Sequence, residues 1–260
     1  MKRKDKKNTK LEILSPQGYE SGDKPQKMTM KARKTACDRC GACCTAGGPV
    51  LLIEDMPLFT SGVLSPGVVH TIREGEPVRS HGDGEVYESF IELMKVREKE
   101  GGGACGFYDF KAGCYIYKDR PSQCRSYRCW APGDVLADGL EESRLTRRKL
   151  FAPAEMLIEA MDRHDEKCPY AGLAVALEKL GQGDETAVEN VMDMLQYDTY
   201  ARPFLHEKFG VPEDAMDLVL GSPLIGKIRE FGFQVLQDGD EYIVMPIETK
   251  DGGQDPSENE

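Results

Sequence analysis

Cys37-Asp38-Arg39-Cys40-Gly41-Ala42-Cys43-Cys44 packs four thiols into eight residues. Cys-x2-Cys spacing lets one tight turn aim two thiolates at a single ion, and Gly41 permits that turn because glycine tolerates positive φ. Disulfides within the block are disfavoured, because a bridge needs Cα atoms about 4.4–6.8 Å apart with the Cβ atoms facing each other. The chemistry this spacing offers is metal or iron–sulfur binding. Side chains of adjacent residues diverge, so Cys43 and Cys44 are expected to serve different ions, or one to stand behind the other as an outer thiol. A second group follows: Cys105, Cys114, Cys124 and Cys129, with Cys168 further on. Nine cysteines leave one spare if two four-thiolate sites exist.

Other chemistries fit less well. A catalytic cysteine wants one activated thiol beside a histidine, not two blocks of thiols. His70 and His81 lack ligand spacing and read as loop histidines. A radical S-adenosylmethionine enzyme uses Cys-x3-Cys-x2-Cys, whereas Cys37-x2-Cys40-x3-Cys44 runs in the reverse order, which excludes that class.

The rest of the chain must position these thiols. Its 260 residues suit one large domain or one and a half small ones, with 40% hydrophobic and 30% charged residues supporting a modest core. The start, Met1-Lys-Arg-Lys-Asp-Lys-Lys, has no apolar run after its charges and does not read as a secretory signal. No stretch approaches the roughly 18 apolar residues of a membrane span. The expectation is a cytoplasmic protein, where clustered thiols stay reduced and bind metal. Net charge is −11, but residues 1–34 carry 11 Lys/Arg against 4 Asp/Glu, so the remainder is strongly acidic. An acidic body argues against a nucleic-acid surface.

The expected fold class is α+β: an irregular, cysteine-rich, metal-stapled domain with short strands, then a helical C-terminal region ending in a β-hairpin. Residues 1–34 read as a disordered basic arm, 35–172 as the cysteine-cluster domain, 173–247 as the helical region with its hairpin, and 248–260 as a disordered acidic tail. Val50–Ile53 reads as a short buried strand after Gly47-Gly48-Pro49. Residues 85–99 read as a helix, with Val86, Phe90, Leu93 and Arg97 on one face and Asp83 as cap. Cys105–Phe110 and Cys114–Tyr117 read as a small hairpin, and Pro121 opens a helical turn through Cys124. Helices are expected at 154–164, 172–180, 184–208 (with Pro203 able to split it), 212–220 and 223–231. Phe233–Gln237 and Glu241–Met245 form the closing hairpin around Asp-Gly-Asp.

The block Cys37-x2-Cys40-x2-Cys43-Cys44, followed by Cys105, Cys114-Tyr-Ile-Tyr and Arg120-Pro121-x2-Cys124-Arg125, resembles the YkgJ-like CxxCxxCC cysteine-cluster family, described as zinc- or iron-chelating domains. The resemblance covers about residues 37–172. It implies Cys37, Cys40, Cys43, Cys44, Cys105, Cys114, Cys124 and Cys168 as ligands. Cys168-Pro169 occupies the place of the family's later cysteine, and Cys129 becomes the spare.

Four thiolates around Zn²⁺ or a [4Fe–4S] core leave about −2 of charge, which Arg39, Arg120, Arg125 and Arg128 can offset beside the ligands. Adjacent Cys43-Cys44 and the crowding of arginines favour iron–sulfur over zinc. The functional expectation is a metal-binding protein with a structural or electron-transfer role, its helical region serving as a partner surface. Alternatives are metal storage or delivery, and an S-adenosylmethionine-dependent lysine methylase, since flagellin methylases resemble this cysteine pattern. No glycine-rich nucleotide loop supports the latter, and whether the chain is an enzyme is left open.

Overall fold

The structure is a computed structural model and describes residues 36–79, 84–99, 103–128, 140–238 and 241–247. The expected basic arm and acidic tail, His81 and Cys129 lie outside the described residues. The rest is a mixture of helices and short antiparallel strand pairs, ending in a β-hairpin.

The first strands form a long antiparallel ribbon broken near its middle. Val69–Ile72 (β1) pairs with Leu93–Val96 (β4), and Pro77–Arg79 (β2) with Val86–Glu88 (β3). Between the two pairs the ladder is carried by Gly75 N–H to Ser89 C=O (2.7 Å) and Ser89 N–H to Glu76 C=O (3.0 Å). One face of β1–β4 sets Val69 opposite Val96 and Thr71 opposite Met94, all four at most 1% exposed, as period-2 patterning requires. This overturns the expected helix at 85–99. Val86, Phe90, Leu93 and Arg97 mimic a helical face by spacing, yet Phe90 is 88% exposed while Met94 and Val96 alternate into the core. Pairing with β1 overrides the local pattern.

Val50–Leu52 is extended and buried at Leu51, whose N–H donates to Met94 C=O (2.8 Å) and whose C=O receives Leu145 N–H (2.9 Å). It forms isolated bridges rather than a strand, and it ends one residue early. Leu52 N–H is captured by the Asp55 carboxylate (2.9 Å), turning Ile53–Asp55 into a 3₁₀ turn that leaves Ile53 exposed. The Cys105–Tyr117 hairpin is present but short: Tyr108–Asp109 (β5) pairs with Gly113–Cys114 (β6). Its turn is fixed by Asp109 Oδ1, which receives the N–H groups of Lys111 (2.8 Å) and Ala112 (2.7 Å).

Short helices at Met56–Thr60 (α1), Ser122–Ser126 (α2), Leu140–Ser143 (α3) and Arg147–Leu150 (α4) precede longer ones at Glu155–Lys167 (α5), Tyr170–Gly181 (α6) and Ala187–Phe209 (α7). Pro203 sits inside α7 without splitting it, and Gly210 at φ +67 ends the helix. The expected helices at 212–220 and 223–231 are each part 3₁₀ and part α, with Met216–Val219 (α8) and Leu224–Lys227 (α9) as the α turns. Phe233–Asp238 (β7) and Glu241–Pro246 (β8) pair with Val235 opposite Val244.

The core around the first strands draws on the C-terminal helices. Leu218 of α8 belongs to the cluster of Leu51, Val69, Met94, Cys105 and Tyr108. Thr71 Oγ1 donates to Leu218 C=O at 2.7 Å. A buried polar seam runs alongside. The Arg73 guanidinium, 3% exposed, meets His164 Nδ1 (3.2 Å), Asp165 (3.2 Å) and the Cys168 carbonyl, and lies over the Tyr170 ring. His164 Nε2 in turn contacts Asp198 at 2.9 Å. The His164–Asp198 pair, buried on both sides, is sensitive to the loss of either partner.

Candidate metal centre

The first cysteine block is shaped by two residues in the left-handed region, Arg39 (φ 61) and Gly41 (φ 83). Arg39 N–H points at Cys37 Sγ (3.4 Å) and Cys40 N–H at Asp38 Oδ1 (3.4 Å). Gly41 C=O then receives Thr45 N–H (2.9 Å), closing one helical turn across Ala42, Cys43 and Cys44. A side chain at 41 is excluded twice over, by the positive φ and by the Tyr108 phenol, which occupies the space of a Cβ.

The second block is brought to the first by backbone bonds. Cys105 N–H donates to Cys44 C=O at 2.8 Å. Cys114 stands opposite Tyr108 in the β5–β6 pair. Cys124 rides on α2, whose first residue, Ser122, is held by the fully buried Asp55. Gln123, beside it, accepts the N–H of Val50 through its side-chain carbonyl. The segment leaving the first block is pinned too: Gly48 N–H donates to Glu98 Oε1 (3.0 Å), which also pairs with Lys95 (2.5 Å).

The outcome is one cavity of about 280 Å³ whose wall carries seven of the eight cysteines expected as ligands: Cys37, Cys40, Cys43, Cys44, Cys105, Cys114 and Cys124. Cys43 and Cys44 do not diverge to separate places. Both line this cavity, within hydrogen-bonding reach of each other. Cys168 is elsewhere. It is fully buried in the helical core, its thiol directed at Met194 C=O (3.4 Å), and it is absent from the cavity wall. Its place at the α5–α6 junction, under Arg73, suits a packing role. Tyr108 and Gln123 also line the wall, and neither carried a motif signal in the sequence. His70 pairs with Lys95 across β1–β4, in a strand rather than a loop, and is not part of the wall.

All eight described cysteines are free thiols. Burial pushes Cys44 up to about 12, and its neighbours Cys43, Cys114 and Cys105 add to the shift. Burial does the same to Cys124, also to about 12, with Cys105, Cys43 and Cys114 raising it further and Arg120 opposing them. Cys105 is raised mainly by burial. Thiols of both blocks therefore feel one another's charge. A second thiolate is costly here unless a cation takes the proton's place, which is the condition a metal or cluster meets. Among the described residues, no carboxylate or imidazole lines the cavity, and an all-sulfur donor set suits soft metals: zinc, copper(I) or iron–sulfur. Among the same residues, no group of three or more His, Cys, Asp or Glu side chains is already drawn in tightly enough to hold a metal ion. The cavity wall carries more thiols than one tetrahedral ion takes.

Two guanidiniums complete the wall. Arg39 and Arg120 lie over the Tyr117 ring with their central carbons 3.9 and 3.8 Å from its centroid. Arg125 turns away, donating to Arg120 C=O (2.6 Å) and Ser122 Oγ (2.7 Å). No helix among the described residues is long and apolar enough to cross a membrane.

The family model CxxCxxCC, described as "putative zinc- or iron-chelating domain", matches residues 36–169, which is just over half of the chain and takes in all seven cavity cysteines. No curated protein and no solved structure matches. The chain belongs to the CxxCxxCC family.

Proposed function

We propose that the seven cavity cysteines hold one polynuclear thiolate centre, an iron–sulfur cluster in preference to zinc, with a structural or electron-transfer role. The observation that carries this reading is the common wall: Cys37, Cys40, Cys43 and Cys44 face the same 280 Å³ space as Cys105, Cys114 and Cys124. A mononuclear tetrahedral site needs four thiolates at about 2.3 Å from one ion. Seven thiols on one cavity wall suit a core in which sulfurs are shared or in which inorganic sulfide fills the middle. Two arginines in the wall favour the more anionic alternative. A zinc–thiolate cluster is the second reading, supported by the family description. Such a centre requires reduced thiols, which fits the cytoplasm.

Anaerobic purification of the full chain, with iron, zinc and sulfide analysis and a visible spectrum, tests this. A broad brown absorption with matching iron and sulfide is expected. Zinc with a featureless spectrum selects the second reading, and stoichiometric absence of both metals refutes the proposal.

A further inference from the structure

The sequence offers four arginines beside cysteines, and the structure sorts them. Arg39 and Arg120 line the cavity, whereas Arg125 is used in binding the α2 turn. Both guanidiniums lie within 4 Å of the Tyr117 ring centroid, so one ring holds the two together at the cavity wall. Each gains from the ring's negative faces, but two like charges this near repel, and among the described residues no carboxylate lines the cavity to offset them. Arg120 Nε is moreover buried without a hydrogen-bond partner among the described residues. A buried, unpaired donor of this kind is costly unless an acceptor arrives. Ionised sulfur is one such acceptor at this wall.

Tyr117 lies between Cys114 and Cys124 in sequence, and Arg39 lies inside the first cysteine block, so the stack straps the two blocks together. Arg39 reaches it from a left-handed backbone that a non-glycine residue adopts only when its surroundings enforce it. The same residue's N–H is aimed at Cys37 Sγ.

We infer that the Arg39–Tyr117–Arg120 stack is the countercharge of the thiolate centre. The ring holds two weakly hydrated, permanently charged groups at the cavity wall, and these retain the centre in its anionic state and shield its sulfurs from electrophiles. The inference rests on the metal-binding reading above and adds to it the residues that govern retention.

The test uses the full chain, freed of metal and titrated anaerobically with Co²⁺ against a competing chelator, then treated with iodoacetamide once loaded. Wild-type protein is expected to show an intense thiolate-to-cobalt charge-transfer band. Arg39→Gln/Arg120→Gln is expected to bind Co²⁺ at least about tenfold more weakly, the scale seen when partners of metal ligands are removed, and to alkylate faster when loaded. Arg39→Lys/Arg120→Lys should recover most of both. If the double glutamine variant does not fold, the single variant at the exposed Arg39 supplies the readout, with a smaller loss in the same direction. Unchanged affinity and alkylation in the glutamine variants overturns the inference, as does a lysine pair no better than the glutamine pair, which would mean shape rather than charge. Wild-type protein that takes up no Co²⁺ and, as purified anaerobically, carries neither zinc nor iron with sulfide instead sinks the metal-binding reading itself.

Discussion

Asp55 Oδ1 receives both the backbone N–H (2.7 Å) and the hydroxyl (2.9 Å) of Ser122, 67 positions further along the chain. Its other oxygen receives Leu52 N–H at 2.9 Å, and the residue is fully buried. One carboxylate thus ends the extended Val50–Leu52 segment and seats the helix that carries Cys124. Asp55→Ala deprives Leu52 N–H and Ser122 N–H of their acceptor and leaves the Ser122 hydroxyl only its longer contact to Glu54 (3.2 Å). Hydrogen bonds to charged groups contribute about 1.5–3 kcal/mol each before relaxation, so a loss of several kcal/mol is expected in urea unfolding, together with loss of bound metal. Asp55→Asn keeps one carbonyl oxygen and should fall between. Wild-type stability in Asp55→Ala would remove this residue from the account.

Gly41 and Tyr108 form a second joint. A methyl group at 41 would overlap the phenol, and Ala at φ +83 adds backbone strain of about 1–2 kcal/mol. Gly41→Ala is expected to destabilise the protein and weaken metal retention. Tyr108→Phe, which removes the atom closest to the overlap, should restore part of the loss in the double variant. A double-mutant cycle measures this. Strict additivity of the two changes would show that they do not meet.

Legibility in the sequence differs by element. Residues 155–209 carry long helical periodicity, and their helices are where it places them. Residues 85–99 show why short segments mislead. The four-three-four spacing of Val86, Phe90, Leu93 and Arg97 satisfied a helix, while the alternation Leu93-Met94-Lys95-Val96, which reflects pairing with β1, was the true signal. The seven cavity cysteines were readable from type and spacing together with the family likeness. Cys168 was assigned through the likeness alone, and no local geometry distinguished a ligand from a thiol buried against Met194. Asp55, Gln123 and Tyr108 could not be found from the sequence, because each acts across more than 60 positions and has no motif of its own.

His70 gives the protein an acid-sensitive window. Burial holds its imidazole down to about 4 from its usual 6.5, with Lys95 and Arg97 acting in the same direction and Glu98 against it. The unfolded chain therefore takes up a proton near pH 6.5 while the folded one resists until about 4. Stability from this group is complete above 6.5 and declines as pH falls toward 4. His70→Gln should flatten that part of a stability–pH curve followed by chemical denaturation. Asp165, which burial alone would raise, is held at about 2 by its neighbours His164, Arg147 and Arg73, and acts in a lower window. An unaltered curve between pH 6.5 and 4 in His70→Gln would contradict the assignment.

The family-matched segment is braced by the C-terminal helices. Thr71 is bonded to Leu218, Arg97 to Asp217 (2.8 Å) and Arg147 to Val219 C=O (2.9 Å). A fragment of residues 36–169 is expected to lack a cooperative thermal transition, even with metal present, whereas residues 36–247 should unfold cooperatively. Calorimetry on both fragments decides this. A sharp transition in the shorter one would show that the C-terminal helices are dispensable.

The central claim is that both cysteine blocks serve one centre. Native mass spectrometry of anaerobically purified Cys40→Ser and Cys124→Ser, compared with wild type, tests it most directly. Each single change should abolish the entire metal complement, because the same core loses a wall on either side. Two variants that each retain about half of the wild-type metal would mean two independent sites, and the shared centre would be wrong.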